Sequence, residues 1–372
     1  MSVVLTKTFH SPDYGPRTKD QNVMMRKQKS SKYLTSPTRP IQIDRDRSVA
    51  GILQKMEGAG FQARSLADAH NLWLEMLEDN STVLMGLSGA LVAAGMRRLI
   101  SYLIKNHFVD VVVSTGANLF HDLHETLGRY HYQAPVGVTD EELQEAQVGR
   151  FYDTLASEHE YREADEWVGN FANTVDHSRP YSTREFLHLL GRELAEIATE
   201  DGILTSAYKA KVPVFCPGVA DSAIAVGIAT SRVNRKNPFQ FDIVQDVVEA
   251  AQIMARSVNT SVVLFGGGPP KSFVQQTEVT ASIIKQTMRG HKYALQIGLD
   301  LPESSATSGR SFEEAQTWGR VAKDAKTVSV LCDPTIAMPI LVTALSQTGT
   351  KALKQRRRPQ FSFGRELMVT FG

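Results

Sequence analysis

Cysteine is nearly absent: 372 residues contain only Cys216 and Cys332. Neither stands in a CxxC pair, which excludes a disulfide framework and a zinc ribbon. Two thiols of this kind suit a reducing compartment, and the expected location is cytoplasmic. No apolar run reaches the roughly 18 residues of a membrane span. The opening stretch, MSVVLTKTFHSPDYG, lacks the apolar core of a secretory signal. A charge excess is missing as well, since 41 Lys/Arg face 40 Asp/Glu. The GxGxxG fingerprint is also absent. GLSGALVAAG (86–95) shares only its glycine content, so a standard dinucleotide-binding dehydrogenase is not supported. HDLH (121–124) carries two histidines three apart but brings no third ligand, and no metal is expected.

Charge is present but unevenly placed. Residues 1–40 hold eight Lys/Arg against Asp13 and Asp20, and residues 351–372 hold six against Glu366. The body from 41 to 350 keeps 27 basic and 37 acidic side chains. An acidic body favours a cationic ligand over nucleic acid. The spacing of prolines and polar residues predicts a basic, mostly flexible N-terminal arm over 1–40. It also predicts one domain over 41–350 and a basic C-terminal tail over 351–372. The run KQRRRPQ (354–360) reads as a solvated end or a contact for an anionic partner.

Six short runs are almost continuously apolar: TVLMGL (82–87), VDVVVST (109–115), VPVFCPG (212–218), TSVVLFGGG (260–268), KYALQIG (292–298) and VSVLCD (328–333). Strands covered on both faces have this texture. Amphipathic helical segments lie between them at 90–107, 182–198, 242–258 and 335–348. The alternation predicts an α/β fold: a doubly wound, mostly parallel Rossmann-like sheet with helices on both faces. A charged stretch over 140–200 reads as an added helical segment. In such folds ligands bind beyond the carboxyl ends of the strands. Nearly every strand exit here carries Gly, Ser, Thr or Asp before a helix. Backbone amides there suit phosphate, and Asp221 or Asp333 suits ribose hydroxyls. Taken singly, each exit is also an ordinary βα turn with a helix cap.

The exits carry a resemblance. GFQAR (60–64), VDVVVSTGAN (109–118), VPVFCPGVADS (212–222), LFGGGPPK (264–271), SGRSFEEAQTWG (308–319) and CDPTIAMPILV (332–342) follow the order found in deoxyhypusine synthases. The chain resembles that family from about 40 to about 345, and more narrowly its bacterial deoxyhypusine synthase-like group. Homospermidine synthase shares the fold. The resemblance implies a homotetramer with active sites at subunit interfaces, NAD as cofactor and spermidine or a related amine as substrate. It implies dehydrogenation to an imine, then transfer of the aminoalkyl group to a protein or small amine acceptor. On the cofactor side it carries over Thr115, Gly116, Asp221, Gly266, Gly267, Ser308 and Asp333. On the amine side it carries over Glu314 and Trp318, a carboxylate and an indole suited to a cation.

The departures fall on the chemistry. The family's relay lysine follows Trp-Gly, and here that position is Arg320. A guanidinium stays protonated and cannot form a Schiff base. Lys323, a helical turn further if the helix continues, is the nearest amine. A polyamine-holding carboxylate falls on Val226, a histidine on Ser272, an aspartate on Thr307 and a catalytic glutamate on His121. His121 is a candidate acid/base. The expected catalytic set is therefore Arg320, His121, Glu314 and Trp318, with Ser272 lining the substrate. Three readings stay open: a transferase without the lysine relay, a silent NAD-binding regulatory paralogue, and an NAD-dependent amine dehydrogenase. Arg320 could instead bind an anionic substrate or neutralise Glu313 or Glu314.

Overall fold

The computed structural model describes residues 33–285, 289–299 and 311–371. Most of the N-terminal arm, Ser308 and Thr307 lie outside the described residues. The chain opens with α1 (Val49–Met56), α2 (Phe61–Glu78) and β1 (Thr82–Leu87). A kinked turn at Val92–Met96, with Gly95 at φ +85°, leads into α3 (Arg97–Lys105). Then follow β2 (Val111–Ser114), α4 (Gly116–Thr126), β3 (Tyr132–Gln133), α5 (Asp140–Glu145), β4 (Val148–Phe151) and β5 (Thr154–Ser157). Next come α6 (Glu158–Thr174), α7 (Thr183–Ile197), α8 (Ile203–Ala210), β6 (Val214–Phe215), α9 (Ala223–Arg235) and α10 (Ile243–Arg256). The second half adds β7 (Thr260–Phe265), α11 (Gly268–Lys285), β8 (His291–Gly298), α12 (Phe312–Thr317) and β9 (Val321–Leu331). It closes with α13 (Pro334–Thr348), α14 (Thr350–Gln355), β10 (Pro359–Ser362) and β11 (Met368–Phe371).

All six expected strands join one sheet, in the order β6-β2-β1-β7-β8-β9, and every pairing is parallel. Both faces are covered, which is why the strands read as continuous apolar runs. Val83, Met85 and Leu87 of β1 enter one core with Trp73, Leu103 and Leu341. Leu84, between them, enters the other with Phe215, Ile253 and Val274. The period-2 alternation of a strand thus feeds two cores at once.

Three expectations need correction. The 140–200 segment is not purely helical: its β4 and β5 join β3, which precedes the segment, in a small antiparallel sheet ahead of α6 and α7. These strands have two to four residues, too short for periodicity to register. The expected tail is folded over its described residues, 351–371. α14 leads to a β10–β11 hairpin that buries Phe361, Leu367 and Val369. Within the basic run, Arg356 is buried; it pairs with Asp110 and donates to the carbonyls of Ser81 and His107. Finally, the helix before Arg320 stops at Thr317, and Lys323 is an exposed residue of β9, not a helical turn from Arg320.

Candidate functional site

In a parallel sheet all strand exits open on one edge, and the crevice forms where the winding direction reverses. Here the reversal lies between β1 and β7, so the crevice is walled by Ser88-Gly89 and by Gly266-Gly267-Gly268. Ser88 Oγ donates to the carbonyl of Gly267, tying the two exits together. Gly266 sits at φ +82°, and a Cβ there would press on Ser88 at 2.9 Å. Gly89 (φ +67°) and Gly268 (φ +64°) face open space, with nothing within 4 Å of where a Cβ would stand. Bare backbone with room in front of it is what a closely approaching ligand needs. Ser88 and Gly89 were not singled out in the sequence, because only the strand order shows which two exits flank the crevice.

The next exit extends this wall. Thr115 caps α4, accepting from Asn118 N, and its Oγ1 donates to Gly89 O at 2.9 Å. Asn118, fully buried, accepts from Val92 N at 3.2 Å. It also donates to Ser88 O and Thr115 Oγ1. Gly116 packs directly on Ser222, so a side chain there would collide with it. Asp221, one residue before Ser222, is exposed, and its backbone closes a turn onto Gly218 O at 3.0 Å. Asp333 caps α13, with Oδ1 accepting from Thr335 N (2.8 Å) and Thr335 Oγ1 (2.7 Å). An α11 phosphate site is weaker than its glycines suggest. Pro269 and Pro270 remove two of the amides that a helix N-terminus normally offers.

The amine-side residues gather elsewhere. Ser311 caps α12 by accepting from Glu314 N at 3.2 Å. Trp318 ends the helix and is 56% exposed. Gly319 takes φ +67°, its N–H bonds Gln316 O, and Arg320 N–H bonds Ala315 O at 3.0 Å. This is a Schellman cap, so the glycine of Trp-Gly is required by helix termination. The Arg320 carbonyl accepts from His291 N, at the start of β8. Its guanidinium lies 5.9 Å from the Trp318 ring centre and donates to Gln276 Oε1 of α11 at 3.3 Å. Ser272, one turn before Gln276, is exposed. Gln276 is eight residues into α11, about 12 Å of helix from the crevice. The expected residues therefore form two groups: Thr115, Gly116, Asp221, Gly266, Gly267 and Asp333 around the strand exits, and Glu314, Trp318 and Arg320 on an open face beside α11. Lys271, at the turn between them, is buried and donates to Gln296 Oε1 at 2.7 Å.

His121 belongs to neither group. It is 3% exposed, packed edge-on to Phe151, with Nδ1 2.7 Å from Tyr161 O–H and 3.0 Å from His131 Nε2. Burial, and to a lesser degree the neighbouring His131, lower its pKa to about 4. It is a neutral core histidine at pH 7. Asp122 is structural too. Its carboxylate pairs with Arg97 at 2.9 Å and caps α8 through Ile203 N (2.8 Å) and Leu204 N (2.9 Å).

Fold and crevice define a doubly wound α/β protein with an open crevice at the reversal of its sheet. The family model for deoxyhypusine synthase matches residues 51–345. The chain is 47% identical over 333 residues to probable deoxyhypusine synthase 2 of Methanosarcina mazei, covering 89% of this chain and 95% of that protein. It is 43% identical over 291 residues to the Archaeoglobus fulgidus protein of the same description, covering 78% and 95%. It is 34% identical over 299 residues to the deoxyhypusine synthase-like protein of Coxiella burnetii, covering 78% and 84%. A crystal structure from Entamoeba histolytica, described as a deoxyhypusine synthase, superposes with a TM-score of 0.58 at 16% identity, covering 84% and 97%. This last likeness supports the fold alone. The chain belongs to the deoxyhypusine synthase family.

Proposed function

We propose that this protein is an NAD-dependent aminoalkyl transferase that works without a lysine relay. Family membership across residues 51–345, together with the open glycine crevice, carries this reading. NAD fits the crevice because the glycines at 89 and 268 leave backbone bare in front of open space. Thr115, Gly116, Gly266 and Gly267 would hold its phosphates, with Asp221 and Asp333 on ribose hydroxyls. Ser308 is proposed here on the resemblance alone. When bound, NAD would take a hydride from the carbon bearing the substrate nitrogen, and return it at the end.

The chain's own residues would handle the amine. Glu314 pairs with an ammonium group, Trp318 lies against it through its ring, and Ser272 lines the path toward the crevice. Arg320 occupies the relay position with a permanent charge, so it orients and does not attack. The acceptor amine then adds directly to the imine carbon, and the original nitrogen leaves as a free amine. His121, enclosed by Phe151 and Tyr161, has no part in this scheme. Trp318 and, on α11, Ile283 and Ile284 are large apolar side chains left exposed in the single chain, as an interface with a second copy would leave them. The homotetramer with interface sites is proposed on the resemblance.

The test is direct. The purified protein is incubated with NAD and putrescine, spermidine, agmatine, cadaverine or amino-acid-derived amines. NADH absorbance is followed and products are identified by mass spectrometry. Formation of NADH or of a coupled amine is expected. Silence across the panel, with NAD binding confirmed by calorimetry, would make the chain a non-catalytic NAD-binding member.

A further inference from the structure

A cavity of about 330 Å³ opens at the amino-terminal edge of the sheet, the opposite end from the crevice. It lies where α10 ends and β7 starts, and where the starts of β8 and β9 face the middle of α11. β7 is six residues long, so about 20 Å of strand separates the cavity from Gly266. Gly290 lies flat against β9, where a Cβ would meet Ala322 N at 2.5 Å. This close approach fixes the backbone that carries Arg289. The volume falls within the range of small-molecule sites.

Glu278 reaches the cavity from α11. It is only 4% exposed, and no cation among the described residues pairs with it. Thr260 Oγ1 stands 3.5 Å from its Oε2. That hydroxyl has a single proton, and His291 takes it. Burial lowers the pKa of His291, so its ring is neutral at pH 7. Nε2 faces the carbonyl of Val274 at 3.4 Å, which can only accept, so Nε2 carries the ring proton. Nδ1 is then an acceptor, and Thr260 Oγ1 donates to it across 2.9 Å. Glu278 is left as a buried carboxylate without a donor, a cost that a ligand's N–H would remove.

The other charges define that ligand. Lys292 is committed to Asp79 at 2.8 Å. Arg289 spends Nη1 on the carbonyls of Ser257 (3.2 Å) and Val258 (3.3 Å), which leaves Nε and Nη2 for a ligand. Asp324, exposed at the mouth, has no ion pair among the described residues. No third His, Cys, Asp or Glu among the described residues joins the two carboxylates to hold a metal. Two carboxylates and one guanidinium match two ammonium groups and one carboxylate. We propose that this cavity binds a free basic α-amino acid, its α-ammonium on Glu278, its α-carboxylate on Arg289 and its side-chain cation on Asp324. Both α charges are engaged, so a residue within a peptide, or at either end of one, does not fit. The site goes beyond the proposed function and does not depend on it.

Calorimetric titration of the full-length chain with L-lysine, L-ornithine and L-arginine tests it. Binding is expected. L-norleucine, L-lysinamide and Nα-acetyl-L-lysine each lack one of the three charges and should bind at least about tenfold more weakly. Glu278→Gln, which keeps the shape of the side chain, weakens L-lysine binding by about tenfold or more. Arg289→Gln does the same, and its exposed position keeps the test open if Glu278→Gln does not fold. Asp324→Asn brings L-lysine down to the affinity of L-norleucine. Lys285→Gln, exposed on α11 outside the cavity, changes nothing. Failure of the wild type to bind any basic amino acid would overturn the site. So would wild-type affinity in Arg289→Gln, or equal affinity for L-lysine and L-lysinamide.

Discussion

Arg320 is where sequence and chemistry part from the family pattern. Its backbone is fixed twice, by the Schellman cap and by the bond from His291 N, so a lysine there would start from the same position. We expect Arg320→Lys, given NAD and spermidine, to form an adduct trappable by borohydride. NAD binding without an adduct would show that the amine pocket differs by more than this residue. The motif was legible in the sequence, but the role of Gly319 as a helix terminator was not, because its left-handed backbone depends on where α12 ends. HDLH shows the opposite outcome. His121 was expected as an acid/base, and the fold turned every member inward. His124, like His121, is buried, and desolvation with nearby positive charge lowers its pKa to about 3. Both histidines therefore contribute stability that is present above pH 6.5 and lost as pH falls toward these values. Between pH 6.5 and 5 each loses about 2 kcal/mol. Asp165 and Asp246, raised to about 6 mainly by burial, act in the opposite direction and regain about 1 kcal/mol each over that range. Burial lowers His107 and His188 to about 4 as well, and they add losses of the same sign. Urea unfolding at pH 7 and pH 5 should therefore show a net loss of several kcal/mol. A flat profile would mean that these histidines take up protons in the folded state.

At the scale of elements, the C-terminal segment changes meaning most. Read as KQRRRPQ it is a basic tail; folded, it supplies one buried cation and a hairpin. Arg356 reaches Asp110, whose Oδ2 also accepts from Val83 N at 2.8 Å, so the segment locks the loop before β2 to β1. The signal was faint. PQFS alternates buried and exposed residues over only four positions, too few to separate a strand from a polar end. Arg356→Met should cost about 3–5 kcal/mol in urea unfolding, because it leaves the Asp110 charge buried and unmatched. A cost below about 1 kcal/mol, the level of an exposed pair, would place Asp110 in contact with water.

For the whole molecule, the sheet brings the crevice into being. Gly116 makes this testable. Gly116→Ala puts a methyl into Ser222 and pushes the β6 exit away from the α4 N-terminus. The α/β fold should survive by circular dichroism, while NAD affinity falls by about tenfold or more. Unchanged affinity would remove the α4 N-terminus from the cofactor site. The sequence by itself determined the six strands, their burial on both faces and the glycine-rich exits. These follow from local composition: apolar β-branched runs and residues that tolerate tight turns. Only the tertiary structure decided which exits meet, that His121 and Asp122 face inward, and that Arg356 is a core residue. Each of those rests on contacts between distant parts of the chain: Ser88 with Gly267, 179 residues apart, and Asp110 with Arg356, 246 apart. Strand order and burial create such pairs, and neither is written in the neighbours of a single residue.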